Sequence, residues 1–335
     1  MRKTITAILL ALVTIATLVT SVHAAMPRDA SRTQLDTAIR DTADFLLRNV
    51  PNPDVGTLGG EWAVLGLARS GRPLPEGFLE DYIYNVESHL RASGGVLDSR
   101  RLTEYSRVIL GLTAAGADPR DVSGQNLLQP LADLERTTWQ GTNGAIFALL
   151  AFDSAGYAIP QNTRAGAQTT REALVSAILS RQLPDGGFSL VELDDPTARS
   201  EVDITAMALQ ALAKYQDQRD VRTSINRALT FLSRRQNTDG GFSNGQTPAT
   251  NTESTVQVLV ALGELGIPIT EPRFINNGNS ILGSLLALQN ADGGFRHSPN
   301  HPQTNLMSTE QALYGLVSAQ RALDGQDSLY RMMNE

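Results

Sequence analysis

There is no cysteine among the 335 residues. Disulfides, thiol nucleophiles, thiolate-held zinc and internal thioesters are therefore excluded, and the fold must rest on its core alone. Aromatic residues make up only 5 %, with two Trp, which leaves few π faces to stack sugars or steady a cation. Positive charge is short as well, with 28 Lys and Arg against 35 Asp and Glu. An acidic chain has no electrostatic pull toward nucleic acid or anionic lipid, and neither is expected as a partner. Apolar runs of spanning length are missing, with one exception at the N-terminus.

That exception reads as a leader. Arg2 and Lys3 precede the apolar run Ile5–Val22, and Val22-His23-Ala24 offers a small-x-small cleavage site. This is the pattern of a secretory signal peptide over residues 1–25. It implies a secreted or extracytoplasmic protein with no membrane attachment after cleavage. An uncleaved leader, near the lower limit for spanning, would instead tether it. Loss of Arg2 and Lys3 takes the formal charge from −7 to −9. Residues 26–335 are expected to form one domain.

Within that domain one phrase recurs. "QLPDGGF" at 182–188 returns as "QNTDGGF" at 236–242 and "QNADGGF" at 289–295. Apolar residues at helical spacing lead into each phrase, in "TTREALVSAILSRQ", "VRTSINRALTFLSRRQ" and, from Ile281, "ILGSLLALQ". Each is an amphipathic helix ending at Gln182, Gln236 or Gln289. Asp185-Gly186-Gly187, Asp239-Gly240-Gly241 and Asp292-Gly293-Gly294 then stop it, because glycine accepts the left-handed conformation that closes a helix. Phe188, Phe242 and Phe295 are placed to fold back on the helix ends, and each Gln to bond backbone of a neighbouring helix. These are joints, with structural rather than catalytic roles.

A second helix follows each joint: 203–215, 253–266 and 308–320. These are apolar nearly all round and rich in Ala, Gly and Ser, the character of a helix buried on most faces. Used as a ruler, a Leu-x-x-x-Gly ending finds three more at 61–71, 105–116 and 144–156, the last with Phe152 in the Leu slot. Outer helices over 33–50, 78–92 and 123–137 would precede them. The count is six hairpins, over about 33–71, 78–116, 123–156, 167–216, 221–266 and 275–323. The expected fold is all-α: an α6/α6 toroid with an inner and an outer ring. Stacked repeats also allow an open solenoid, but inner helices this apolar favour closure.

The phrase Q-x-x-D-G-G-F followed by an Asp-x-Thr-Ala helix resembles the repeat of squalene and oxidosqualene cyclases and of protein prenyltransferase β-subunits. Thioester-domain proteins and cobalamin carriers share that architecture. The first half, with "EWAVLGLARSG" and "EYSRVILGLTAAGADP", is similar to exported bacterial proteins with prenyltransferase/squalene-oxidase repeats. The resemblance covers about residues 33–323 and implies fold more firmly than chemistry. The zinc site of protein prenyltransferases and the thioester segment both need Cys, which is absent. Squalene–hopene-type cyclases protonate an alkene with the middle Asp of Asp-x-Asp-Asp-Thr-Ala; here Glu201-Val202-Asp203-Ile204-Thr205-Ala206 puts Asp203 on that position and Ile204 on the last Asp. Those cyclases also pair two helical domains. Cobalamin carriers add a β-domain, which for this chain would be a separate partner.

Each inner helix begins with a carboxylate or amide: Glu61, Glu104, Asn143, Asp203, Glu253 and Glu310. Capping of free N–H groups accounts for such residues on its own. In a closed ring they would also crowd one mouth of a central pocket, raising one another's pKa. Trp62, Tyr105 and Tyr314 lie on the same helices, where core packing is the simpler use. His297 and His301 sit four apart in "HSPNHP", but two prolines keep them off a helix, so no metal pair is preset and no metal or cofactor is expected. Asp194-Asp195 reads as solvated loop charge.

The expected function is binding of a bulky, partly apolar small molecule, an isoprenoid or corrinoid, with no complete catalytic motif. A cyclase-like acid using Asp203, a glycan-active enzyme using rim carboxylates, and a cell-surface interaction module are the alternatives.

Overall fold

The computed structural model describes residues 32–245 and 248–333. The leader assigned to residues 1–25 lies outside the described residues. Among the described residues there are twelve α-helices, numbered in chain order. The inner ones are α2 (Glu61–Arg69), α4 (Leu102–Ala114), α6 (Thr142–Ser154), α8 (Val202–Leu212), α10 (Thr252–Glu264) and α12 (Leu306–Leu323). The outer ones are α1 (Arg32–Asn49), α3 (Phe78–Ala92), α5 (Leu134–Thr138), α7 (Arg171–Leu179), α9 (Arg219–Arg235) and α11 (Ile281–Leu286). Two antiparallel hairpins add β1 (Ile275–Asn276) with β2 (Asn279–Ser280), and β3 (Arg296–Ser298) with β4 (His301–Thr304).

Each inner helix packs against the next, and α12 packs back against α2. The ring is closed, and the protein is an α6/α6 toroid. Small residues allow the close approach. A Cβ on Gly66 would sit 3.1 Å from Leu313, and one on Gly263 would sit 2.5 Å from the Ser318 hydroxyl.

The Leu-x-x-x-Gly ending has a backbone cause. Gly116, Gly156 and Gly266 adopt positive φ. The next residue reaches back to the ruler position: Ala117 N to Leu112 O at 2.9 Å, Tyr157 N to Phe152 O at 2.8 Å, Ile267 N to Leu262 O at 2.9 Å. This is the Schellman C-terminus, whose glycine sits four residues after the bonded carbonyl.

The three joints are built alike. Gln182, Gln236 and Gln289 donate from Nε2 to a carbonyl of the following outer element: Ser224 O, Phe274 O and Ala38 O. The first oxygen of Asp185, Asp239 and Asp292 accepts the N–H two residues on and a hydroxyl from Ser200, Thr250 or Thr304. The N–H groups of fully buried Phe188, Phe242 and Phe295 donate to Thr205, Thr255 and Thr309 on the inner helices, at 2.9 to 3.0 Å. Thr205 is the Thr of Asp-x-Thr-Ala, and Thr255 and Thr309 hold the same place in their repeats.

Two outer elements differ from expectation. No continuous helix spans 123–137: a tight turn with positive φ at Ser123 and Gly124 is followed by a 3₁₀ turn at Pro130–Ala132 and the five residues of α5. Asp133 restarts the helix as an N-cap, accepting from Arg136 N, which Pro130 and Gly124 make necessary. Similarly α11 is only six residues long. The helices before the joints stop at Leu179, Arg235 and Leu286, one to three residues short of the Gln.

Candidate active site in the central cavity

The inner ring encloses a cavity of about 300 Å³. The register of its lining follows from the joint. Two residues before the anchoring Thr, repeats four and five place the carboxylates Asp203 and Glu253. 

In repeat six the polar residue is the N-cap Asn305, four before Thr309 and outside the cavity lining. The position two before Thr309 is Met307. Asp203, Glu253 and Met307 all face the cavity, and so do the residues one helical turn further on, Met207, Gln257 and Gln311. Trp62 from α2, Phe147 from α6 and Tyr314 from α12 form its aromatic side. Trp62 stands between the other two, with ring centroids 5.8 Å from Phe147 and 5.7 Å from Tyr314.

Asp203 is half-buried, and its Oδ1 is buried without a hydrogen-bond partner among the described residues. Burial pushes its carboxyl pKa up, Glu253 and Glu201 push it the same way, and the nearby Ser254 hydroxyl opposes them. A raised pKa keeps more of the group protonated near neutrality, as a hydrogen-bond donor or acid. Glu253 is held on both oxygens, by the Ser308 hydroxyl at 2.5 Å and by His297 Nδ1 at 2.7 Å. His297 belongs to the β3–β4 hairpin, which packs on α10 and α12. Deeper in, Gln257 donates to the Tyr314 hydroxyl at 2.7 Å, and Gln210 donates to Gln257 Oε1 at 3.0 Å.

The far end is closed by the tail. Tyr330 lines the cavity. Its N–H donates to Glu264 Oε1, and Met332 N donates to Ser154 O. Arg69 donates to the carbonyls of Ser328, Leu329 and Arg331. The C-terminal ends of α2, α6 and α10 thus share one strap.

Of the residues singled out in the sequence, Trp62, Asp203, Glu253 and Tyr314 meet at this cavity. Glu61, Glu104, Tyr105, Asn143 and Glu310 are not among its lining. Glu61 and Glu310 accept from Gly56 N and Gly59 N, at 2.8 and 2.6 Å, pinning the loop before α2. Glu104 pairs with Arg107. The Tyr105 hydroxyl accepts from Leu97 N, and Asn143 Oδ1 is buried without a partner. Phe147, Met207, Gln257, Met307, Gln311 and Tyr330 were missed. Stepping four residues on from Asp203 and Glu253 would have found Met207 and Gln257. His297 and His301 face each other edge to face at 5.5 Å. Among the described residues no group of three or more His, Asp or Glu side chains could hold a metal ion.

The closed double ring of helices around an acid-bearing cavity is an α/α toroid, a fold similar to that of terpene cyclases and protein prenyltransferases. Residues 187–313 match the squalene-hopene cyclase C-terminal domain. A drimenyl diphosphate synthase from Streptomyces showdoensis is 28 % identical over 273 residues, 78 % of this chain and 48 % of that protein. The chain spans about half the length of the curated relatives it matches. Among solved structures, Candida albicans protein geranylgeranyltransferase-I complexed with GGPP superposes with a TM-score of 0.55 at 13 % identity, covering 84 % of this chain and 91 % of that one. A type II terpene cyclase from Scytonema in complex with merosterolic acid A gives 0.53 at 14 % identity, covering 87 % and 98 %.

Proposed function

We propose that the toroid binds a small, partly apolar molecule of the isoprenoid class in its central cavity, with Asp203 as the polar contact. The observation that carries this is a carboxyl group with one buried, unpartnered oxygen, facing a cavity walled by Trp62, Phe147 and Tyr314. Size narrows the ligand. At roughly 30 Å³ per water-sized group, 300 Å³ holds about ten non-hydrogen atoms. That suits a ten-carbon skeleton and is several times too small for a corrinoid. Charge narrows it further. Two lining residues are carboxylic acids and none is Lys or Arg, so a diphosphate would meet like charge without a counter-ion. The polar end of the ligand is therefore an uncharged group such as a hydroxyl.

A second reading is favoured by the same carboxyl group. A protonated Asp203 beside aromatic faces is arranged to protonate an alkene and steady the resulting cation. The names of the relatives support it; Ile204, in place of the last Asp of the cyclase motif, weighs against it.

The test is tryptophan fluorescence and native mass spectrometry with a ten-carbon prenyl alcohol and its diphosphate. The alcohol is expected to bind and quench Trp62, and the diphosphate not to. Asp203→Asn is expected to weaken binding about tenfold, the loss of one strong hydrogen bond. No binding of either compound rejects the reading. Conversion of the alcohol to a cyclic product by the wild type, lost in Asp203→Asn, selects the cyclase.

A further inference from the structure

The reduction of the third outer helix has a consequence on the outside of the toroid. Where a full helix would stand, the loops 93–101, 125–133 and 161–164 leave an open groove of about 770 Å³. A shelf of about 350 Å³ beside Trp139 adjoins it, and both are lined by Ser99 and Arg136. The geometry points to this groove as a binding site for a neutral oligosaccharide, separate from the central cavity and independent of its ligand.

The first support is Trp139. It is one of two Trp in the chain, and it is 57 % exposed. Such a ring offers a flat apolar face at low entropic cost, the surface on which the C–H face of a sugar ring stacks. Arg100 lies over it with its guanidinium carbon 4.6 Å from the ring centroid, which fixes the ring and adds donors beside it.

The second support is the polar lining. Among the described residues the Gln125 side chain makes no hydrogen bond. Asn126 and Asn162 accept from Leu128 N and Arg164 N through Oδ1, which leaves their NH₂ groups for a ligand. Amides, with donor and acceptor on one group, match hydroxyls that also do both. The charges balance in number: Asp98, Asp133 and Glu135 line the groove and shelf with Arg100, Arg136 and Arg164. A balanced lining favours a neutral glycan over a uronate or sulfated one.

The third support is order. Gln129 Nε2 donates to Gln161 O at 3.1 Å, tying two of the loops together, and Arg136 donates to Ser99 O at 3.2 Å, tying α5 to the third. Asp98 accepts from the N–H groups of Arg100 and Arg101, both at 2.8 Å. A groove held open in the free protein loses little entropy on binding. Tyr105, one of the residues singled out in the sequence, lines this groove and not the central cavity.

The experiment is native affinity electrophoresis of the full chain in gels containing soluble β-glucan, mannan, xylan, arabinogalactan or dextran, with polygalacturonate as the acidic control. Retardation by at least one neutral polysaccharide is expected. Trp139→Ala should weaken it by about tenfold or more, and Gln125→Ala by less. Both side chains are exposed, so an unchanged melting temperature should confirm that the variants fold. Retardation by none of the neutral gels, retardation by polygalacturonate alone, or a Trp139→Ala variant that migrates like the wild type overturns the proposal. Capture of a peptide at this groove in place of a glycan also overturns it.

Discussion

Gln289 donates from Nε2 to the carbonyl of Ala38, 251 residues upstream, at 3.3 Å, and to the Thr42 hydroxyl at 3.1 Å. The bond that links one repeat to the next elsewhere here links the last repeat to the first. Glu310 crosses the same seam by accepting from Gly59 N. Ring closure is therefore the repeat's own joint used a final time, rather than a separate device.

Gly293 tests that seam. Its φ is +93°, and a Cβ there would lie 2.3 Å from Asp41 O on α1. Gly325, at φ +64°, has nothing within 4 Å. Gly293→Ala combines backbone strain with a clash against main chain and should cost about 3 kcal/mol or more. Gly325→Ala should cost about 1 kcal/mol, from strain alone. Urea unfolding of both variants is the measurement. Equal losses would mean that the seam is not under close packing.

Glu310 gives the seam a pH dependence. Burial raises its pKa to about 7, with Glu61 adding to the shift. The unfolded carboxyl titrates near 4.5, so between 4.5 and 7 the folded state holds the extra proton. Stability from this group is then greatest at low pH and falls as pH rises through that window, by up to about 3 kcal/mol. Glu310→Gln keeps an acceptor for Gly59 N but cannot titrate. Its unfolding free energy should fall less than that of the wild type between pH 5 and pH 8. Parallel pH profiles would show that Glu310 does not hold the proton.

Much of the ring could be read from the sequence, because the joint repeats and each part has one physical task. The Gln, Asp, Gly-Gly and Phe roles rest on short-range backbone geometry, which a sequence pattern carries. The cavity was less legible. Its lining follows the register of Thr205, Thr255 and Thr309, whereas the search for a charged residue at each inner helix start led to Glu310 instead of Met307. Apolar lining residues such as Phe147 and Met207 look like any other buried position on a helix that is apolar nearly all round. The tail strap depends on contacts between Arg69 and residues some 260 positions away, which no local pattern encodes.

Tyr314 separates packing from binding. Its hydroxyl accepts from Gln257 at 2.7 Å and donates to Gln311 at 3.2 Å, while its ring stacks near Trp62. Tyr314→Phe keeps the ring and removes both hydrogen bonds, so the half-buried Gln257 amide loses a partner. The expected loss of stability is about 1–2 kcal/mol, with the alcohol still bound. Trp62→Ala should instead abolish binding of the alcohol in a native mass spectrum while the ring stays closed. If Tyr314→Phe releases the ligand as fully as Trp62→Ala, the hydroxyl and not the aromatic wall is the determinant.

Access to the cavity depends on the strap, and Arg69 is one of its main ties. Arg69 is buried and donates to three tail carbonyls, and its own carbonyl accepts from Arg321 at 3.1 Å. Its pKa is lowered to about 10 by burial, with Arg321 contributing, so it remains charged at neutral pH and its bonds are charge-assisted. Arg69→Leu leaves the Ser328, Leu329 and Arg331 carbonyls without that donor and should cost about 3 kcal/mol. The released tail would carry Tyr330 away from the cavity. In a Trp139→Phe background, where Trp62 is the only indole, acrylamide quenching should then rise clearly above that of the parent. Tyr330→Ala, which removes the plug but leaves the strap tied, should give a smaller rise at less cost in stability. Quenching unchanged in both variants would mean that Trp62 is reached from the β3–β4 side alone, and that the tail does not close the cavity.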